Sequence, residues 1–529
     1  MNPPPTVLQR RIVIGAAICV VAFAFVGARL VDVTLLKPSR VAAKPNEHVE
    51  TVRDDLIDRN GELMARDLPA SDLYVRPHLF RDKRHAAHIL AAATGADEAR
   101  LVQMFAGKHP YVLVARQLGQ STREQLTHLG LSGLEFQPNA KRYYPDGRLT
   151  SQVLGVTDSD DKGISGLELG LDPRLHRPGG VVQTSLDMRV QYILAYEAAA
   201  SMAMFKARAA GGLVMDVHTG EIVALVSLPD FDPNVRSLDG QDTTRNIMAQ
   251  DVYELGSVFK IFAFAQALED HTVRLDEKLQ IGDGYKIGKF TIHDAEQMAA
   301  SLTARDVLAL SSNIGTAQIA LRSGGDRQRA FLTKMGLLAP VRSELPESAR
   351  PLYPAYWGTI ETATISFGHG ISVSPLAFAA AASAIVNGGR QVVPTFLKHT
   401  ADARGPQLIS PETSDEMRAL LRYVVTDGSG RKADVPGYDI GGKTGSAEKA
   451  GPHGYQEHKL VTSFCAVFPI EAPRYLVFVV LDEPHGTKET SGNALAGYTA
   501  APLAGHVISR IAPLLGVPLD PVSHSKENS

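Results

Sequence analysis

The longest apolar run in the chain lies near its start. Residues 12 to 28, from Ile12 to Ala28, carry no charged or strongly polar side chain. Coiled as a helix they would span roughly 26 Å, close to the thickness of a bilayer core. Residues 30 to 47 turn polar around Pro38 and Pro45 and read as a linker. From about residue 48 short patterns alternate: Asp72-Leu73-Tyr74-Val75 as a strand, Arg81 to Ala92 as a helix, and Asp58-Arg59-Asn60-Gly61 as a turn between two strands. Past residue 184 the patterning lengthens. A helical stretch from Val190 to Lys206 leads into Gly212 to Val217 and Glu221 to Ser227, two runs apolar on both faces around the turn His218-Thr219-Gly220. Such strands belong at the centre of a sheet covered by helices. The pattern returns as Leu460 to Phe468 and Tyr475 to Asp482, and a last helix, about Ala501 to Leu515, ends before Gly516. Strands from both ends of this region around a helical middle predict an α/β fold with a central antiparallel sheet. A polar tail, Ser523 to Ser529, follows.

Composition narrows the setting. Lys plus Arg number 54 against 57 for Asp plus Glu, a net charge of −3 that gives nucleic acid no electrostatic footing. Arg10 and Arg11 precede the apolar run, so the positive-inside rule keeps the short tail in the cytoplasm and everything after Arg29 outside. Ala22-Phe23-Ala24 offers a small-x-small cleavage site, but the apolar run continues past it, which favours an uncleaved anchor over a signal peptide. The two cysteines, Cys19 in the apolar run and Cys465 in a predicted strand, could pair only across the membrane boundary, and no disulfide is expected.

The candidate chemistry is centred on Glu254-Leu255-Gly256-Ser257-Val258-Phe259-Lys260, which runs on into Ile261-Phe262-Ala263-Phe264-Ala265. Gly256 allows a tight turn into a helix that starts at Ser257, and Lys260, three residues on, falls on the same helix face. A lysine held in a closed, partly apolar site can lose its proton and act as base for a serine nucleophile, while the Ser257 N–H faces a developing oxyanion. The spacing alone is weak, because S-x-x-K begins five times, at Ser159, Ser257, Ser429, Ser446 and Ser523. Its company is stronger: Ser311-Ser312-Asn313, then Gly442-Lys443-Thr444-Gly445-Ser446 with the chain's one K-T-G. S-x-x-K, S-x-N and K-T-G in that order are the signature set of penicillin-binding proteins and serine β-lactamases.

On these motifs the chain resembles a class B penicillin-binding protein, most like the division-specific, FtsI-like peptidoglycan transpeptidases. Arg53 with Asp58 to Gly61, Arg142-Tyr143-Tyr144-Pro145, Leu154-Gly155-Val156 and Gly163 to Glu168 resemble the motifs of that family's pedestal, with Asp54 where the family has glycine. The resemblance implies a cytoplasmic tail (1–11), an anchor in the inner membrane (12–29), a linker (30–47), an α+β pedestal (48–183), a periplasmic transpeptidase domain (184–516) and a polar tail (517–529). It implies Ser257 as nucleophile, Lys260 as base, Ser311 as proton relay and Asn313 as a holder of the substrate backbone. Lys443, Thr444 and Ser446 would bind the substrate carboxylate, Gly445 would leave room for a substrate lying along the strand, and the Ser446 N–H would be a second oxyanion donor. The implied ligands are stem peptides ending in D-Ala-D-Ala and β-lactams. The implied partners are a lipid-II polymerising glycosyltransferase and other division proteins, and no cofactor or metal is required. An elongation-type transpeptidase shares every catalytic motif. A β-lactam sensor or β-lactamase is disfavoured, since no glutamate segment of the class A type lies between Asn313 and Lys443. His369 reads as structural, Asp230 to Asn234 as a capped turn and Trp357 as packing.

Overall fold

The computed structural model describes residues 53–519 apart from 178, 236–243, 400–403 and 452–453, with 457 and 458 by backbone only, and five positions of the first apolar run. Most of the expected anchor, the linker, Cys19 and the tail from 520 lie outside the described residues. Among those described, no helix is long and apolar enough to cross a membrane.

The pedestal is built on a sheet of β1 (Asp55–Ile57), β2 (Leu63–Val75), β3 (Val112–Leu118), β4 (Leu134–Tyr143) and β5 (Val181–Gln183). Its order is β3-β2-β1-β5, with β4 also paired to β2. Asp58 makes the turn between β1 and β2, its Oδ1 accepting the N–H of Asn60 at 2.7 Å and of Glu62 at 2.9 Å. The departure at position 54 is absorbed by a side-chain bond: Asp54 Oδ1 accepts the Gly180 N–H at 2.8 Å, tying the strand entry to the chain leading into β5.

Under this sheet lies a buried ion network. Arg53 bonds Glu168 at 2.8 Å and Asp172 at 2.5 Å, and Arg142 bonds Glu168 at 2.7 Å and Asp67 at 3.1 Å. Arg53 and Glu168 are fully buried and Arg142 nearly so. Arg53, Arg142 and Glu168, from three of the pedestal motifs, therefore meet here. Ties from the pedestal motifs to the second domain include the Gly166 N–H donating to Glu347 at 2.8 Å, Tyr144 exchanging two hydrogen bonds with the Asn234 side chain, and Arg59 pairing with Glu221 at 2.9 Å. Asn234 closes the expected capped turn, its N–H bonded to Asp232 Oδ1.

The second domain is organised by a five-stranded sheet. Its first hairpin is β6 (Ala209–Asp216) and β7 (Ile222–Leu228). Two short antiparallel pairs follow within the helical middle, β8 (Lys278–Gln280) with β11 (Ser301–Thr303) and β9 (Tyr285–Ile287) with β10 (Phe290–Ile292). The remaining strands are β12 (Gly441–Gly451), β13 (Gly454–Phe468) and β14 (Tyr475–Asp482), and the order is β12-β13-β14-β6-β7, antiparallel throughout. Every residue of β6, β7 and β14 is buried. Along β14 the side chains alternate between two cores: Leu476, Phe478 and Val480 join helices Lys260–Glu269 and Pro375–Val386, whereas Val477 and Val479 face helices Met188–Met204 and Ala500–Ile511. Each such fully buried side chain contributes about 1.5–3 kcal/mol.

One expectation needs correction. β7, apolar on both faces, stands at an end of the sheet and not at its centre. Its outer edge is covered without a further strand: Ile222 N–H donates to Thr395 O and Asp187 N–H to Val223 O, both at 2.8 Å, and the Gln191 side chain donates to Leu225 O at 2.7 Å and accepts from Leu225 N at 2.9 Å.

Candidate active site

Ser257 lies in a 3₁₀ turn, Gly256–Phe259, that runs directly into helix Lys260–Glu269, so the α-helix begins at the lysine and not at the serine. Gly256 has φ +61°. A Cβ there would also stand 2.4 Å from the Ser446 carbonyl, so glycine serves both the turn and the close approach of this segment to β12. Glycine at 445 is required by packing: a Cβ there would meet the Leu255 carbonyl at 2.3 Å and Ser463 Oγ at 2.5 Å, colliding with the segment leading to Ser257.

Lys260 and Lys443 are both fully buried and converge on Ser311. Lys260 Nζ donates to Asn313 Oδ1 at 2.8 Å, to Ser311 Oγ at 3.2 Å and to the Ser311 carbonyl. Lys443 Nζ donates to Ser311 Oγ at 2.9 Å and to Thr444 Oγ1 at 3.2 Å. Ser311 is held at φ +66°, a conformation that costs a non-glycine residue of the order of 1 kcal/mol, and it places one hydroxyl between two ammonium groups. Among the described residues no hydrogen bond joins Ser257 to Lys260. The lysine is poised through Ser311 and Asn313, and catalytic hydrogen bonds of this kind tighten when substrate arrives.

Neither lysine has a carboxylate at ion-pair distance among the described residues. Burial lowers Lys443 to about 7. Lys260 falls well below the ordinary lysine value, through burial first and the charge of Lys443 second, against an opposing pull from Asp294. The pair therefore contains a lysine able to accept a proton near neutrality.

These groups open on a cleft of about 490 Å³, whose walls include Ser257, Ser311, Asn313, Thr444 and Ser446. The structure thus brings all three motifs to one place. Thr444 and Ser446 already have neighbours: Ser446 Oγ accepts the Ala496 N–H at 3.0 Å, and Thr444 Oγ1 lies 2.8 Å from Ser429 Oγ. Ser429, which begins another of the S-x-x-K matches, lines the cleft with Lys432. Asp294 lies outside every sequence motif. It accepts the Ser312 hydroxyl at 2.8 Å and the N–H groups of Asn313 and Ile314, capping helix Asn313–Ser323 and fixing the S-x-N turn. No local pattern announces a cap supplied from nineteen residues upstream. His369 faces the cleft with its ring against Phe367 and Tyr455, and burial lowers it to about 4, leaving it neutral. Trp357 packs half-buried, its indole N–H on Gln328.

Comparison with known proteins agrees with this geometry. Residues 210–505 match the penicillin binding protein transpeptidase domain, and residues 48–198 match the penicillin-binding protein dimerisation domain. The chain is 40% identical over 485 residues to the probable peptidoglycan D,D-transpeptidase FtsI of Caulobacter vibrioides, covering 89% of this chain and 82% of the relative. It is 26% identical over 550 residues to the peptidoglycan D,D-transpeptidase FtsI of Escherichia coli K12, covering 96% and 92%. The crystal structure of penicillin-binding protein 3 from Mycobacterium tuberculosis, complexed with ampicillin, superposes with a TM-score of 0.70 at 25% identity, covering 89% of this chain and 97% of that one. With a pedestal and a transpeptidase domain in tandem and three motifs converging on one cleft, the chain belongs to the class B penicillin-binding proteins.

Proposed function

We propose that this chain is a serine D,D-transpeptidase that cross-links peptidoglycan stem peptides during septum formation and is inhibited by β-lactams. The observation that carries the reading is the fully buried Lys260, its hold on a proton weakened by burial, three residues after Ser257, at a cleft that Ser257 lines together with Thr444 and Ser446 of the K-T-G strand. Lys260 takes the Ser257 proton as Oγ attacks the carbonyl of the penultimate D-alanine. The N–H groups of Ser257 and Ser446 stabilise the oxyanion, while Lys443, Thr444 and Ser446 hold the terminal carboxylate. The C–N bond breaks, and Ser311, hydrogen-bonded to both lysines, passes the proton to the departing amine of D-alanine. An amine of a second strand then attacks the acyl-enzyme, gives up its proton through the same groups and releases Ser257.

Residues 12–29 anchor the enzyme in the inner membrane with its N-terminus in the cytoplasm and the catalytic domain in the periplasm. There it works beside a lipid-II polymerising glycosyltransferase and other division proteins. The septal role follows the likeness to relatives named FtsI. Depletion is expected to give filaments; rounded cells would move the role to elongation.

Intact-protein mass spectrometry after exposure to a penicillin tests the chemistry. A stable adduct of one drug mass is expected on the wild type and absent from Ser257→Ala. Drug turnover without an adduct would indicate a hydrolase, and neither adduct nor turnover would sink the catalytic reading.

A further inference from the structure

The buried network of the pedestal holds one acid that its arginines do not serve. Asp161 is 3% exposed, and among the described residues neither oxygen of its carboxyl group has a hydrogen-bond partner. It stands at φ +60° in the loop between Thr157 and Gly163, which face each other across an antiparallel bridge. That conformation accounts for a residue such as glycine, asparagine or aspartate, which enter the left-handed region most readily. It does not account for a charge. Glycine or asparagine would serve the turn without burying one.

The surroundings govern which form the carboxyl group takes. Arg53 comes from the start of the sheet, Asp67 from β2, Arg142 from β4, and Glu168 and Asp172 from helices Gly166–Gly170 and Asp172–Leu175. With Asp161 the cluster holds four carboxyl groups against two guanidinium groups. Both guanidinium groups are engaged elsewhere. Arg53 donates to the side chains of Glu168 and Asp172 and to the carbonyls of Asp161 and Glu168, so it holds the main chain of Asp161 and not its carboxyl group. Arg142 donates to Glu168, Asp67 and the Asp54 carbonyl. Tyr144, beside Glu168 and both arginines, is kept neutral by burial, and Lys162 is exposed. An ionised Asp161 is therefore out of water, without a donor and in excess of its countercharges. Burial first, then Asp67 and Glu168, push its carboxyl group up to about 7 against the pull of Arg53 and Arg142.

The loop is placed to pass this on. The Gly163 N–H donates to Asp172 at 2.8 Å, the Ile164 N–H to Val156 O at 2.9 Å, and the Gly166 N–H to Glu347 of the second domain at 2.8 Å. On its other side Arg116 of β3 bonds Ser159 and Asp160, and Gln117 bonds the Ser159 carbonyl. One short stretch thus joins β3, the ion network and the catalytic domain.

We propose that Asp161 is a proton-binding site that latches the pedestal to the catalytic domain. With the proton on, the carboxyl group is neutral and the loop stays closed on Arg53. When the proton leaves to water, the carboxylate is repelled by Asp67 and Glu168, the loop opens toward solvent, and the hold on Gly166 loosens. The closed form keeps its proton up to about pH 7, whereas the opened form, with an ordinary carboxyl value of about 4, has already released it. Opening therefore becomes easier as the pH rises between those values and levels off above them.

Hydrogen exchange of the full chain tests the latch, read by mass spectrometry on peptides from Val156 to Glu168 and corrected for the intrinsic rate of free amides. Between about pH 6 and about pH 8 the protection of the Ile164 and Gly166 amides is expected to fall about ten-fold in the wild type, the change in an opening equilibrium linked to this proton. The buried strand β14 is the internal reference. Asp161→Asn, which suits the left-handed turn and removes the charge, should keep its protection at both pH values. Wild-type protection that is unchanged or rises with pH, or a fall that survives Asp161→Asn, overturns the latch. The wild-type comparison decides the matter by itself if the variant does not fold.

Discussion

Arg53 and Arg142 in the pedestal are buried as deeply as Lys260 and Lys443 in the catalytic domain, but the arginines are ringed by carboxylates and the lysines are not. Taking an ion out of water costs several kcal/mol unless a partner restores it. In the pedestal the partners do so. Burial alone would lower Arg142, but Glu168 and Asp67 outweigh it and hold the guanidinium above its ordinary value. In the cleft the neighbours are hydroxyls, an amide and a second lysine, so burial is not offset and both lysines hold their protons less tightly. The two regions meet the same cost differently: one fixes four stretches of chain, at Arg53, Asp67, Arg142 and Glu168 to Asp172, in a single arrangement, and the other leaves two lysines with a weakened hold on their protons.

Three changes would break or sharpen this contrast. The largest effect is expected from Glu168→Ala, which leaves both arginines buried with half their partners gone. A loss of about 3–5 kcal/mol is expected in urea unfolding, and a loss below 1 kcal/mol would show that the network relaxes or takes in water. Next is Lys260→Arg, which keeps a cation at the position but cannot discharge it. Penicillin acylation should slow by about a hundred- to ten-thousand-fold with the fold retained, and a mild effect would remove Lys260 from the role of base. The smallest concerns Asp294→Asn. The carboxylate pulls the Lys260 value upward, so its removal should lower that value further and carry the acid limb of the acylation pH profile to lower pH. The negative charge lost from the N-terminus of helix Asn313–Ser323 should cost about 0.3–1 kcal/mol in stability. An acid limb that does not move would mean that Lys260 does not govern the profile.

The legible parts of this molecule share a property. The β6–β7 and β13–β14 hairpins, the helices that cover them and the turn at Asp58 depend on residues close in sequence, where patterning and turn chemistry act. The three catalytic motifs were legible for another reason: each is short and rigidly spaced, and their order along the chain restricts the families that can carry them. What stayed hidden depends on pairs distant in sequence. Asp294 reaches the S-x-N turn from a separate loop, Ser429 meets Thr444 only because helix Pro411–Thr426 ends beside β12, and Gln191 helps to cover an edge that patterning had placed inside the sheet.

Gly445 marks the boundary between the two kinds of knowledge. That glycine is required follows from the motif, but what it makes room for, the Leu255 carbonyl before the turn of Ser257, is decided by how two distant segments cross. The sequence by itself determined which side chains are available, which strands must be buried and which serine stands three residues before a lysine. Tertiary structure decided which charges keep a partner. That choice depends on distance and on access to water, and neither exists until the chain has folded.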